Sequence, residues 1–365
     1  SRGAKTLPGR YYTSEAIFLE ESDRIFSSRW LCVGRSEQIP NPGDYFLAQV
    51  GIESLIVVRN NSSEVRAFYN VCRHRGTRLC NQPQGTFHST ISCPYHAWSY
   101  DLDGKLNAAP LMNELDEFSK EDYPLHSIAL ENWEGFFFIN LAPQPEPFAT
   151  AFAPLLGKFT QWHLPKLKVA QSIEYNIQAN WKLILQNYSE CYHCPLVHPK
   201  IAKLSPYRSG ENDLFSGPFL GGFMKLNDDV NSLTMSGKRC GLPLPEVSGE
   251  NLKRVYYYSI FPNLMLSLHP DYVMLHILWP QSPHQTRIVC QWLFHPDTLA
   301  QPDFDPSDAV ALWDLTNRQD WEICELTQLG VSSRSYTPGL YSSQESLLAA
   351  IDQEVLQALG HPGIG

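Results

Sequence analysis

Two short arms of cysteine and histidine, Cys72-Arg-His74 and Cys93-Pro-Tyr-His96, are separated by eighteen residues. Thiolates and neutral imidazoles both ligate transition metals, and each arm supplies one of each. A Rieske [2Fe–2S] centre takes two Cys on one iron and two His on the other, and the neutral imidazoles raise its reduction potential. Zn²⁺ also accepts a Cys₂His₂ set, but zinc fingers group the ligands as a Cys pair followed by a His pair. The interleaved order favours the iron–sulfur reading over a structural zinc knuckle, which stays as the alternative.

A second constellation lies in the segment from Asn180 to His198. Asn187, Glu190 and His193 recur every three residues, so a helix from Trp181 to His193 would carry them on one face. Asn180 is placed to cap its start, and Pro195 to end it just before His198. Two imidazoles and one carboxylate form the 2-His-1-carboxylate set of non-haem Fe(II) oxygenases, which leaves positions open for O₂ and substrate. The carboxylate has to come from elsewhere, and a predicted helix from Asp308 to about Leu329 offers Asp314, Asp320, Glu322 and Glu325. Asp320 is the choice among the four. A lone HxxxxH is a weak signal; beside a centre that passes single electrons it gains meaning. Cys191 and Cys194 form a C-x-x-C but lack the βαβ context of a thioredoxin-like pair, and read as packing residues.

These ligands need elements to hold them. Short β-type runs (Tyr45–Val50, Ser54–Arg59, Val65–Asn70, Thr90–Cys93, Gly135–Asn140) are separated by turn signals such as Asn60-Asn61, and the four Cys/His ligands fall in two of those turns. Farther on, Gln171–Gln178, Val255–Phe261, Tyr272–Trp279 and Arg287–Phe294 read as strands of an antiparallel sheet, followed by the long helix. Ser342-Ser-Gln-Glu345 is a capping box for a last helix ending at Gly360. The expected class is α+β, with residues 1–42 a helical part of a catalytic domain, 43–150 a small β domain and 151–365 the remainder of the catalytic domain.

Composition narrows the function further. A net charge of −10 argues against a nucleic-acid partner. No apolar run reaches the length of a membrane span, and nine scattered Cys make no secreted disulfide framework, so a reducing, cytoplasmic compartment is expected. No Gly-rich dinucleotide fingerprint is visible, so if the electrons come from NAD(P)H they would have to arrive through a separate reductase carrying flavin or iron–sulfur centres. Aromatics of the second half (Tyr188, Tyr192, Phe215, Phe219, Phe223, Tyr256–Tyr258, Trp279) are numerous enough for a cation–π cage or a flat slot for an arene.

Taken together, the motifs resemble the catalytic α subunits of the Rieske non-haem iron oxygenases, over nearly the whole chain. Asn70-Val-Cys-Arg-His-Arg-Gly-Thr-Arg-Leu-Cys80 and Cys93-Pro-Tyr-His-Ala-Trp98 look like that family's cluster box. Asn180-Trp-Lys182 with Asn187, Glu190, Tyr192, His193 and His198 looks like its iron box, and Asn317-Arg-Gln-Asp320 with Cys324-Glu325 like the segment bearing the carboxylate. Within the family, Tyr11-Tyr12, Ile260-Phe-Pro-Asn-Leu264, Tyr336-x-Pro-Gly339 and a Glu rather than Asp at 190 are similar to the choline, glycine-betaine, carnitine and proline-betaine monooxygenases. The resemblance implies a Rieske β domain inserted in a helix-grip catalytic domain with an antiparallel sheet, a head-to-tail homotrimer, and two cofactors, a [2Fe–2S] cluster on Cys72, His74, Cys93 and His96 and a mononuclear Fe(II) on His193, His198 and Asp320, with O₂ as cosubstrate. It further implies that Glu190 joins a cluster histidine of one subunit to His193 of the next, with Tyr192 close by. Oxygenation or N-demethylation of a small quaternary ammonium is the expected reaction. Ring hydroxylation of an arene is the alternative, and a Rieske electron carrier would leave the large C-terminal half without a use.

Overall fold

Fully buried apolar strands such as Phe136–Asn140 and Leu264–Leu268 anchor the sheet of each unit in the computed structural model, which describes residues 3–363. The first unit, Phe26–Phe148, interrupts the second, which consists of Ser1–Ile25 and Ala149–Gly365. In the inserted unit seven antiparallel strands run in the order Leu31–Arg35, Phe136–Asn140, Ser127–Trp133, Val65–Tyr69, Glu53–Arg59, Asp44–Val50 and Gln84–Thr86. A three-stranded sheet of Thr90–Ser92, Ser99–Asp101 and Leu106–Ala108 completes it. Its core gathers Ile56, Val58, Phe68, Ile91, Trp98 and Tyr100 around Cys72 and Cys93. Residues 26–42, expected in the catalytic domain, lie in this unit instead. Leu31–Arg35 is buried along its whole length and pairs with Phe136–Asn140, which ties it to the sheet.

The second unit is a seven-stranded antiparallel sheet in the order Lys168–Ile177, Gln285–Phe294, Val273–Ser282, Leu264–Leu268, Arg254–Ile260, Phe219–Lys225 and Glu211–Leu214. The long helix Ser307–Val331 buries Ala309, Leu312, Trp313, Thr316, Asn317, Trp321, Cys324 and Gln328, a stripe at three- and four-residue spacing. Buried polar atoms on that stripe fix its register. Asn317 Oδ1 accepts from His276 Nε2 at 3.0 Å, Trp313 Nε1 donates to Tyr272 Oη at 2.7 Å, and Asn180 N donates to Gln328 Oε1 at 2.9 Å. A one-turn slip would leave each of these groups unsatisfied, at about 1–3 kcal/mol apiece.

Gly221 lets two strands close on each other. At its φ of +144°, a Cβ would fall 1.9 Å from the Tyr257 carbonyl oxygen, so no side chain fits there. Among the described residues no helix is long and apolar enough to cross a membrane.

The segment carrying His193 is anchored from beneath. Asn180 Oδ1 caps the helix Trp181–Tyr188 by accepting from Lys182 N at 3.0 Å. Lys182 and Glu21 form a fully buried ion pair, with Trp181 Nε1 donating to the same carboxylate at 2.8 Å. Gln186 Nε2 and Tyr341 Oη donate to the two oxygens of Asp352 at 2.6 and 2.7 Å. Burial pushes the Asp352 carboxyl up to about 7 in spite of those donors and nearby Lys182. The unfolded chain loses this proton near pH 4 while the folded chain keeps it, so the carboxyl costs nothing below that pH. Above it, stability falls until pH reaches about 7. Asp352→Asn is therefore expected to flatten the loss of Tm between pH 5 and 7.5; a variant that retains the parental slope contradicts the assignment.

Candidate active site

In the inserted unit the two Cys/His arms fold into matching loops. Cys72 N donates to Thr77 O at 2.8 Å and Gly76 N to Cys72 O at 3.0 Å; Cys93 N donates to Trp98 O at 2.7 Å and Ala97 N to Cys93 O at 3.2 Å. The fourth residue after each Cys is left-handed, Gly76 at φ +75° and Ala97 at φ +58°, a turn that lets each strand reverse within six residues. Asn70 pins the first loop, its Oδ1 accepting from Leu79 N and Cys80 N at 2.9 and 3.1 Å. Both Cys are buried and unpaired by disulfide, whereas His74 and His96 are half-buried with ring centroids 4.7 Å apart. Trp98 stacks on His74 at 4.8 Å, and Tyr100 Oη lies 3.4 Å from Cys72 Sγ. His74 Nδ1 is buried without a hydrogen-bond partner. An imidazole nitrogen without a partner among the described residues, in the same pair of loops as two buried thiols, fits a metal cluster.

In the second unit His193 and His198 meet Asp320 from the long helix. His193 Nε2 and His198 Nε2 are 3.2 Å apart, and Asp320 Oδ1 lies 3.2 Å from the first and 2.7 Å from the second. Adjacent ligands on one face of an octahedron are about 3 Å apart when metal–ligand bonds are about 2.1 Å. The far nitrogens are already used. His193 Nδ1 donates to Glu190 Oε1 at 2.5 Å, and His198 Nδ1 donates to Gln319 Oε1 at 2.9 Å. With Nδ1 turned to those acceptors, each ring offers Nε2 to the same point as the carboxylate. A proton on one ring or a divalent cation can sit among these three atoms, and outward acceptors of this kind are what orient ligating histidines. Burial lowers the His193 pKa, but Asp320 and Glu190 outweigh it and push it up to about 10. Burial likewise raises Asp320, yet the two imidazoles hold its carboxyl below the ordinary range. The donor set fits a divalent iron.

Three other carboxylates on the long helix are occupied elsewhere or exposed. Asp314 accepts from Tyr175 Oη at 2.6 Å and Arg318 Nε at 3.0 Å, Glu325 accepts from Gln178 N at 2.9 Å, and Glu322 is exposed. Cys194 Sγ also comes within 4.8 Å of the two imidazole donors, but Asp320 is nearer, and Cys194 is bonded to Cys191 as a disulfide. That bond corrects the expectation of two packing cysteines. The turn after Ser189 brings their Cα atoms to 4.9 Å, and the bridge closes the loop around His193.

The expected helix face of Asn187, Glu190 and His193 does not form. The helix ends at Tyr188, because the Glu190 carboxylate turns back to accept from the backbone N–H groups of Tyr192 and His193. Pro195 does not end a helix either; it sits in the first turn of a new short one, Cys194–Val197, where a missing N–H costs nothing. Tyr192 is 57 % exposed and contributes only its backbone N–H to Glu190.

A cavity of about 460 Å³ opens onto Glu190, His193, His198 and Asp320. Of the aromatics noted in the sequence, Tyr188, Phe223 and Tyr257 line it. Trp313 lines it too and was not foreseen, since on the long helix it reads as one more core position. Tyr188 and Tyr257 meet edge to face at 6.1 Å, as do Tyr257 and Trp313 at 6.3 Å. Gln319 was missed as well, because nothing in its spacing marks it apart from its neighbour Asp320.

Two family models match the chain. The Rieske [2Fe-2S] domain matches residues 29–119, and the ring hydroxylating alpha subunit (catalytic domain) matches residues 164–361. The chain belongs to the Rieske non-haem iron oxygenases. The cofactors of this oxygenase are a [2Fe–2S] cluster and a mononuclear iron, with O₂ as cosubstrate, and the zinc-knuckle alternative falls. The glycine betaine monooxygenase oxygenase subunit of Chromohalobacter salexigens is 32% identical over 375 residues, 93% of this chain and 82% of that protein. The carnitine monooxygenase oxygenase subunit of Acinetobacter baumannii is 38% identical over 202 residues, 54% of each chain. A crystal structure of the quaternary ammonium Rieske monooxygenase CntA with an inhibitor superposes with a TM-score of 0.83 at 25% identity, over 99% of this chain and 96% of that one.

Proposed function

We propose that the chain is the terminal oxygenase of a multicomponent system that hydroxylates an N-methyl group of a small quaternary ammonium. The iron is held by His193, His198 and Asp320, and the cluster by Cys72, His74, Cys93 and His96. When bound, the two centres supply single electrons and O₂ activation, one oxygen atom entering a C–H bond and the other leaving as water. A hydroxymethyl ammonium then collapses to the tertiary amine, formaldehyde and a proton.

One observation carries the ammonium reading: the wall of Tyr188, Tyr257 and Trp313 beside the three donors. A methylated ammonium is attracted to such ring faces by about 0.5–2 kcal/mol each. Burial pushes the phenols of Tyr188 and Tyr257 well above their ordinary value, so both stay neutral at working pH. Tyr188 Oη is engaged by Leu266 O at 2.9 Å and Ser267 Oγ at 2.8 Å, which fixes the ring. The names of the relatives point the same way, toward betaine and carnitine rather than an arene. A separate NAD(P)H-dependent flavin/iron–sulfur reductase provides the electrons. Formaldehyde release from methylated ammonium compounds, with a generic reductase and aromatic acids as controls, tests the reading. Turnover of the ammonium compounds supports it; oxidation of the aromatic acids alone refutes it.

In the proposed homotrimer Glu190 links His193 to the cluster histidine of the next subunit. Its Oε1 already holds His193 Nδ1 and its Oε2 two backbone N–H groups, so both oxygens are engaged in orienting the iron ligand and the link would use a remaining lone pair. Glu190→Gln is expected to retain iron and cluster while slowing single-turnover product formation at least tenfold. Parental single-turnover rates in that variant would remove Glu190 from the electron path.

A further inference from the structure

The cavity proposed to take a cation also carries one of its own. Among its lining residues Arg208 is the one Lys or Arg; its side chain is exposed, and Glu190 and Asp320 line the same cavity. Arg208 belongs to the turn that follows the helix Pro199–Leu204. That turn is pinned on both sides of it, Ser205 Oγ donating to Lys225 O at 2.7 Å and Lys225 N donating to Ser209 Oγ at 3.0 Å. The guanidinium rests over the Tyr207 ring at 5.2 Å, and among the described residues no carboxylate or hydrogen-bond acceptor engages it. Asn212, exposed on the neighbouring edge strand, lines the same cavity, and among the described residues its side-chain amide is likewise uncommitted.

We propose that Arg208 is the anchor for a carboxylate on the substrate, and that the substrate is therefore a zwitterion: a quaternary ammonium bearing a carboxylate on a short carbon chain. This rests on the ammonium reading of the cavity. Arg presents a planar fork that matches a carboxylate bidentately, and Asn212 can add an amide donor. A substrate with the ammonium alone, such as choline, gains nothing from Arg208 and meets a like charge. The ammonium end sits against Tyr188, Tyr257 and Trp313, the carboxylate end at Arg208, and the two together set which methyl carbon approaches the three iron donors. Arg208 thus selects among quaternary ammonium compounds and aligns the one it selects.

The test is steady-state oxygen uptake and formaldehyde release by the holoenzyme with reductase, comparing the parent with Arg208→Gln and Arg208→Lys. Glycine betaine, γ-butyrobetaine and carnitine are the zwitterions; choline is measured as substrate or competitive inhibitor. For the best zwitterion, Arg208→Gln is expected to raise KM at least tenfold more than it raises the KM or Ki of choline, with kcat changed less than KM. Arg208→Lys should recover part of the loss, and added salt should weaken zwitterion binding in the parent more than in the glutamine variant. Equal effects on zwitterion and choline, or an unchanged zwitterion KM in Arg208→Gln, overturn the anchor while ammonium turnover itself survives. A parent that turns over none of these ammonium compounds overturns both the anchor and the reading beneath it.

Discussion

Two imidazole nitrogens and a carboxylate oxygen facing one another at 2.7–3.2 Å form an arrangement that needs positive charge among them, a proton or a metal cation. Much of the catalytic unit can be understood as what is needed to hold it. His193 and His198 come from a disulfide-closed turn and the short helix after it, while Asp320 comes from a helix more than a hundred residues later. The two parts are brought into register by buried hydrogen bonds, from Asn180 to Gln328 and from His276 to Asn317, that sit within a few turns of the ligands. Glu190 and Gln319 then decide which nitrogen of each imidazole is left bare.

The same economy governs the inserted unit. Each Cys/His arm is a six-residue loop closed by two backbone hydrogen bonds and one left-handed residue, so the ligands are positioned by backbone geometry and only trimmed by side chains. The thiols face inward, into the core with Trp98 and Tyr100, and the imidazoles lie nearer the surface. That polarity suits a centre whose electrons leave through its histidine edge. It also explains the order of residue types along each arm: the Cys opens the loop with its side chain buried, and the His follows as the loop turns outward.

Candidate ligands could be named from the sequence because metal chemistry restricts residue type and short-range spacing together. The Cys72–His74 and Cys93–His96 arms and the His193–His198 pair are local, and all fall within single loops or short helices. Asp320 required a choice among four carboxylates, because spacing along a helix cannot say which turn faces a partner far away in sequence. Local structure at the iron box was misread for a physical reason: Glu190 spends its carboxylate on the backbone of residues 192 and 193 and so ends the helix that its spacing suggested. The boundary at Phe26 and the strand Leu264–Leu268 were hidden because short, fully buried strands carry no alternation to read. Trp313, Gln319 and Arg208 gained meaning only once the cavity existed.

Iron stoichiometry in Asp320→Ala tests the central claim most directly. Loss of one ligand from the three-donor site should lower iron from about three to about two atoms per chain while the visible spectrum of the cluster and its labile sulfide stay at parental levels. A variant that keeps all of its iron would show that the mononuclear metal is held by other groups, and the assignment of His193, His198 and Asp320 as one site would fail.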